Sequence, residues 1–440
     1  MPHIILLGTL DTKRAEVGYL YNQLQQIAAR SSTPLQTTLI DCGRQDTSDD
    51  TITISHKDLL AKYAPADNTK LSALPRGAVI EFLIGCVTRC VADLLQTTEI
   101  HGIIGTGGSG GTSLISSVMR TAVPIGLPKL IVSTVASGDT GPVVGECDIT
   151  LMYSVVDIAG NNSLLRRVLQ NGAGAIFGMA LAYQHGLGEE RRNLRGMQGG
   201  RLEEKKTRVG VTMFGVTTPC VDRVRRHLED KYPVEVYVFH ATGHGGKAME
   251  RLVKEGCLDA ILDITTTEIC DLIAGGIMSC DTSRLEMTLQ SGIPNIISIG
   301  ATDMVNFGPL NTVPRQYCDR NLHVHNPSVT LMRTSTAECR QVGDFILDKL
   351  KRFTQDHSMV EVWLPRGGVS SIGTAGTVFA DPDADAVLAE TLQFGLIGSN
   401  IRPVSDERDI NDAGFAVDIA DRLMTLVAKH SGSALFKPTC

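Results

Sequence analysis

"GTGGSGGTS", Gly105 to Ser113, follows the apolar run His101-Gly-Ile-Ile104, and five of its nine residues lack a side chain. A strand, a glycine turn and a helix start, in that order, mark a backbone that something approaches closely. Gly105, Gly107 and Gly110 keep the dinucleotide spacing G-x-G-x-x-G. That motif also wants an acidic residue ending the next strand, where this chain has Ser137 and Gly138 and reaches Asp139 late. The phosphate-loop form G-x-x-x-x-G-K-[ST] fits at Gly105, Gly110 and Thr112, but Gly111 stands where the lysine belongs. The stretch is neither standard loop. What both share still applies: the N–H groups of a glycine turn make a nest for an anion, and the helix start adds partial positive charge. Gly107, Gly108, Ser109, Gly110 and Gly111 are therefore expected to hold a phosphate or carboxylate. Thr112 and Ser113 either cap the helix or touch the anion. The alternative is a tight strand–helix turn with no ligand.

Outward from this turn, short β-branched runs alternate with amphipathic stretches, the pattern of α/β layers. In the first half, strands are predicted over 3–7, 36–41, 102–104, 129–135 and 149–153, and helices over 13–28, 77–96, 113–120 and 162–183. Residues 185–206, "HGLGEERRNLRGMQGGRLEEKK", are polar, glycine-rich and without period, so a domain boundary is expected there. The pattern then restarts, with strands over 208–213, 234–239, 260–263 and 295–299 and a helix over 219–231. The halves rhyme. "IILLGTLDTKRAE" matches "VGVTMFGVTTPCVD" in shape, and "LPKLIVSTVASGD" matches "IPNIISIGATDM". The expected architecture is two doubly wound, Rossmann-like α/β domains, 1–195 and 207–440, with a cleft between them. Ligands in such sheets bind beyond the carboxyl ends of strands.

A chain of 440 residues is long for one core and comfortable for two. The net charge of −7 and the scattering of the 41 basic residues argue against nucleic-acid or anionic-membrane partners. No apolar run approaches the roughly 20 residues that span a bilayer. The start, Met1 to Gly8, reads as a first strand rather than a signal peptide. Cysteines such as Cys86, Cys257 and Cys270 sit singly in apolar segments, which fits reduced core thiols in a cytoplasmic protein.

Two further loops end at the same sheet edge as the glycine turn. "GTLDTK" offers hydroxyls at Thr9 and Thr12, a carboxylate at Asp11 for a magnesium ion, and at Lys13 the ammonium that Gly111 does not supply. Capping of a helix by Asp11 or Thr12 is the alternative. "STVASGDTG" adds Ser137 and Gly138.

The second half holds its own polar loops. Thr217 and Thr218 follow its first strand, and "LDITTTE" sets Thr266, Thr267 and Glu268 at a helix start. These suit an oxyanion, or a capping box of Thr265 with Glu268. His323 and His325 of "HVHN" share a strand face, an arrangement that serves a transition metal or hydrogen bonding. Asp303 or Glu268 would complete a metal site, Asn326 would orient a substrate, and Arg333 would hold its anionic group. With His240, these ionisable groups make a candidate catalytic set of His240, Glu268, Asp303, His323 and His325. Cys220, at a helix start, is a further nucleophile candidate.

"GTLDTK", "GTGGSGGTSL", "VVDIAGNN", "FHATGHGGKAME", "LDITTTE", "DMVNFGP" and "HVHNPSVTLMRT" resemble the family typified by the nucleotide-binding N-terminal region of the tomato mosaic-virus resistance protein. The resemblance spans essentially the whole chain. It implies two α/β subdomains, ATP binding by the first, and a homodimer; the antiviral role is not implied. The resulting expectation is an ATP- and Mg2+-binding protein, an enzyme on a small anionic metabolite in the cleft. The alternative is a non-catalytic interaction or inhibitor module stabilised by nucleotide.

Overall fold

The computed structural model describes residues 1–65, 75–196 and 206–432, divided into unit 1, Met1–Glu203, and unit 2, Glu204–Cys440. Unit 1 is built on five parallel strands: β1 (His3–Gly8), β2 (Gln36–Asp41), β3 (Gly102–Gly107), β4 (Lys129–Ser133) and β5 (Ile149–Tyr153). Their order is β2-β1-β3-β4-β5, so the chain winds outward in both directions from β1. All six residues of β1 are buried, because both faces are covered. Ile5 and Leu7 pack with α3 (Arg76–Thr97) and α4 (Ser109–Ala122) on one face. Ile4 and Leu6 pack with α1 (Leu10–Arg30) and α6 (Ser163–Gly196) on the other. Between them lie the short helices α2 (His56–Tyr63) and α5 (Gly141–Val144). The stretch 185–206 continues α6 as far as Gly196 instead of starting as an irregular boundary. Residues 197–205 of that boundary reading lie outside the described residues.

Unit 2 repeats the plan. Its parallel strands are β6 (Thr207–Met213), β7 (Val234–His240), β8 (Ala260–Thr265), β9 (Asn295–Gly300), β13 (Val360–Pro365) and β14 (Arg402–Asp406), in the order β14-β13-β9-β8-β6-β7. Counted within the unit, the first strand again lies between the second and third. The two sequence rhymes fall on equivalent places: β1 and β6 are the first strands of their units, β4 and β9 the fourth. Helices α7 (Thr218–Lys231) and α13 (Ala413–His430) cover one face. The other carries α9 (Thr267–Ala274), α10 (Glu286–Gln290), α11 (Thr336–Phe353) and α12 (Pro382–Gly395), with α8 (Gly245–Lys254) packed on Ile261. Between the fourth and fifth strands the chain inserts an antiparallel sheet that sequence periodicity did not reveal. It consists of β10 (Met304–Phe307), β11 (Leu322–Asn326) and β12 (Val329–Arg333), in the order β10-β12-β11. Among the described residues no helix is long and apolar enough to cross a membrane, and the cysteines are free thiols.

Candidate functional site

In a sheet of order 2-1-3-4-5 the loops leaving the first and third strands diverge and open a crevice. In unit 1 that crevice is a cavity of 600 Å³. Thr9, Asp11, Thr12 and Lys13 reach it from the start of α1, and Gly108, Ser109, Gly110 and Gly111 from the start of α4. These eight residues, chosen from sequence, come together. Gly107, Thr112, Ser113, Ser137 and Gly138 do not line the cavity; Thr134 and Val135 of the same β4 loop do, with Arg44, Asp157 and, from α3, Ile80 and Leu83.

Four of the glycines of the turn divide into two kinds. A Cβ on Gly105 would sit 2.7 Å from Ile115 Cδ1, and one on Gly107 would sit 2.8 Å from the Gly111 Cα. Those two glycines exist so that α4 can lie against β3. A Cβ on Gly108 or Gly111 would meet nothing nearer than 3.8 Å and 3.9 Å respectively, so both face the cavity. Thr112 is internal: its Oγ1 donates to the Gly107 carbonyl at 3.1 Å and bonds Ser133 Oγ at 2.7 Å, tying α4 to β3 and β4. Ser113 is exposed.

Electrostatically, the start of α4 is uncompensated. No side chain caps it, and its first turn holds no acidic residue, so the orphan N–H groups and the positive end of the helix dipole face the cavity. By contrast, side chains cap α2, α11, α12 and α13. Lys13 lies where α1 breaks from helical geometry, at φ −127°, ψ 26°. Among the described residues neither Lys13 nor the Arg44 guanidinium has a side-chain partner. Asp11 Oδ2 accepts from the Arg44 N–H at 2.9 Å, while Oδ1 is buried without a partner. Asp41, ending β2, is buried; its Oδ1 accepts from Leu10 N–H at 3.1 Å and Gly43 N–H at 2.9 Å. Burial raises its pKa, against those two hydrogen bonds.

Unit 2 fills the equivalent region with its own groups. Arg284, fully buried, forks onto Asp263 at 2.7 and 2.8 Å and reaches Glu268 at 3.0 Å and Glu250 at 3.4 Å. Glu268 also accepts from Gly243 N–H at 2.8 Å and Gly246 N–H at 3.3 Å. The glycine turn that opens α8 therefore already holds a carboxylate, that of Glu268, which is withdrawn from solvent and from any external ligand. A Cβ on Gly246 would collide with Arg284 and Glu268.

The other candidates of unit 2 are dispersed. Thr217 Oγ1 bonds Thr265 Oγ1 at 2.8 Å, Thr218 donates to the Phe214 carbonyl at 3.2 Å and Thr266 to the Ser298 carbonyl at 3.1 Å; Thr267 Oγ1 is buried without a partner. The capping box of Thr265 with Glu268 does not form, since the N-cap of α9 is Thr266 and it makes no side-chain capping bond. Arg333 is spent inside the fold, donating to the Phe379 and Asp381 carbonyls, Thr334 Oγ1 and Asp385. Asp303 is fully buried; its Oδ2 accepts from Ser370 Oγ at 2.6 Å, and burial pushes its pKa up to about 6. Asn326 Oδ1 accepts from Ser328 N–H, shaping the β11–β12 turn. His240 stacks on Phe214 with ring centroids 5.6 Å apart, and His323 meets Phe379 edge-on at 6.2 Å. Phe214 and Phe379 belong to one apolar cluster, so these two imidazoles flank the same feature. His325 is exposed, at a register shift in β11. Among the described residues no three His, Cys, Asp or Glu side chains gather as a metal-holding group, which leaves His323 and His325 without the further ligands a transition-metal site needs. Cys220 is buried and its thiol pushed up to about 12, the reverse of activation at a helix start.

Arg44 stood in a strand-end loop, "DCGR", and Asp157 in "VVDIAGNN", so the signal for both was position after a strand. Ile80 and Leu83 gave none beyond helical periodicity.

Comparison with known proteins places the chain. A UPF0261 protein of Clostridium tetani (strain Massachusetts / E88) is 39% identical over 426 residues, covering 97% of this chain and 99% of the relative. The ToMV susceptible protein tm-1(GCR26) of Solanum lycopersicum is 39% identical over 439 residues, covering 97% of this chain, which spans 56% of the tomato protein. The ToMV resistance protein Tm-1(GCR237) is 38% identical with the same coverage. Among solved structures, the UDP-GlcNAc 2-epimerase of Neisseria meningitidis bound to UDP-GlcNAc aligns over 90% of this chain and 100% of its own at 7% identity, with a TM-score of 0.21. The N-terminal domain of the Uncharacterised protein family (UPF0261) matches residues 2–185 and its C-terminal domain residues 206–427, and it is to this two-domain family that the chain belongs.

Proposed function

We propose that unit 1 binds a phosphate-bearing nucleotide, ATP with Mg2+, in the cavity at the ends of β1 and β3. One observation carries the reading: the uncapped start of α4, with Gly108 and Gly111 turned to the cavity, lies on the same cavity as the unpaired Lys13. Backbone amides at a helix start, joined by an ammonium, form the seat that phosphate oxygens require. Asp11 contributes an unpartnered carboxylate oxygen, and Mg2+ characteristically takes one or two carboxylates plus phosphate oxygens. The volume falls in the range of small-molecule sites. Titration calorimetry with ATP, with and without Mg2+, tests the reading. Saturable binding is expected, weakened roughly tenfold or more in Lys13→Ala, as for loss of a charge-assisted hydrogen bond. No heat at millimolar ATP overturns it.

A second reading concerns unit 2. His240 and His323 flank one apolar cluster, which supports proton transfer on a small anionic metabolite there. The internal engagement of Glu268 and Arg333 favours instead a module in which nucleotide stabilises the fold. Consumption of ATP on addition of metabolites, lost in His323→Ala, separates the two.

A further inference from the structure

Asp11, Asp41, Asp139 and Asp157 all follow strands of the unit 1 sheet, and the first three are engaged within the fold. Asp41 is buried and holds the N–H groups of Leu10 and Gly43. Asp11 holds the Arg44 N–H, and its other oxygen is the one offered above to Mg2+. Asp139 accepts from Gly141 N–H, away from the cavity lining. Asp157 differs: it is exposed, lines the cavity, and has no hydrogen-bond or ion-pair partner among the described residues. It shares that cavity with Lys13 without pairing with it.

The chain brings Asp157 there deliberately. β5 is the edge strand farthest from β2, yet the loop that follows it crosses to α1. Asn161 Nδ2 donates to the Ala15 carbonyl at 2.9 Å, Gly160 N–H donates to Glu16, and Ile158 is buried in the core beneath α1. The turn begins at Val155, whose φ is +65°, a conformation that a β-branched residue adopts only when its surroundings impose it. A conformation of this kind persists only where the surrounding structure holds it.

An exposed carboxylate on this cavity, without a partner among the described residues, is free to accept hydrogen bonds from a bound ligand. A cation in this cavity draws ligands from phosphate and one or two carboxylates, and the reading above gives that role to Asp11. Hydroxyl groups supply donors without added charge, and a vicinal diol matches the two oxygens of a carboxylate. In dinucleotide folds the acid that takes the ribose ends the strand after the glycine turn; here that strand, β4, ends at Ser133 without one, and Asp41, ending β2, is fully buried with Oδ1 bonded and Oδ2 enclosed. Resting on the phosphate reading above, we infer that Asp157 is the ribose-recognising residue of unit 1, accepting hydrogen bonds from the sugar hydroxyls of the nucleotide.

The test compares ATP, 2′,3′-dideoxy-ATP and inorganic tripolyphosphate, titrated into the full chain and into Asp157→Ala. Wild type is expected to bind ATP roughly tenfold or more tighter than dideoxy-ATP, the effect of losing hydrogen bonds to a charged group. Asp157→Ala should bring ATP down to the level of dideoxy-ATP, leave dideoxy-ATP unchanged, and leave tripolyphosphate unchanged or tighter. Equal wild-type affinity for ATP and dideoxy-ATP overturns the inference. So does an equal loss of ATP and tripolyphosphate in the variant, which would assign Asp157 to the phosphate or its cation. Binding of tripolyphosphate without any nucleotide overturns the ribose role and leaves the anion seat standing; binding of neither removes both.

Discussion

Two glycine turns open helices at strand ends, one in each unit, and they meet negative charge differently. The turn before α8 holds the Glu268 carboxylate, brought from the start of α9 and backed by Arg284. The turn before α4 holds no carboxylate of the chain and faces a cavity that carries Lys13. Both use the same physics, amides and a helix dipole converging on an anion. Unit 2 satisfies it from within; unit 1 leaves it open to the cavity, where the proposed phosphate would sit. Glycine richness alone therefore does not announce a ligand site. What decides is whether a side chain of the fold already occupies the nest.

The largest expected effect lies in unit 2. Arg284→Met leaves Asp263, Glu268 and Glu250 buried without their counter-ion and should lower the stability of unit 2 by about 3–5 kcal/mol. Trp363, the single tryptophan, lies on β13 and reports urea unfolding of that unit by fluorescence. An unchanged midpoint would show that the internal ion network is dispensable, and the contrast between the units would dissolve.

Next in size is the buried acid Asp303. Its folded value, about 6, lies above the ordinary 3.8, so the folded state favours the protonated form. Stability is lost as pH rises from that ordinary value through about 6, by about 3 kcal/mol in full. Asp303→Asn, which keeps an acceptor for Ser370, should exceed wild type by up to that amount at pH 8 and match it at pH 4. Equal stability at pH 8 would mean that unit 2 accommodates the charge at no cost.

The smallest effect probes the comparison most directly. Gly111→Asp gives α4 an internal carboxylate, as Glu268 does for α8. It should stabilise unit 1 by about 0.3–1 kcal/mol, read by hydrogen exchange of the α4 amides, while suppressing tripolyphosphate binding. Undiminished binding in that variant would separate the helix start from the anion seat.

The legible parts of the molecule were those written locally. Strands β2 and β5 fall on their predicted spans because each is a short run rich in β-branched and apolar residues. Thr9 to Lys13 and Gly108 to Gly111 were readable because each loop directly follows a strand. Glu268 was misread because its partners lie on loops at 243–246 and 284, and a hydroxyl-rich helix start looks the same whether its acid caps, binds or plugs. Arg333 was misread for the same reason, its partners lying at 379–385. Asp157 reaches the cavity from the opposite edge of the sheet through a turn at Val155, and no local pattern encodes that crossing.

The placement of the cavity between β1 and β3 also governs when it comes into being. Ile4 pairs with Gly102 across 98 positions, whereas Ile103 pairs with Lys129 across 26 and Lys129 with Ile149 across 20. Closing the longest chain segment is the slowest step toward such a sheet. The seat is therefore complete only once the β1–β3 seam has shut. The proposed ligand, bridging α1 and α4, would act as a clasp on that finished seam, and it is expected to slow unfolding more than it changes the folding rate.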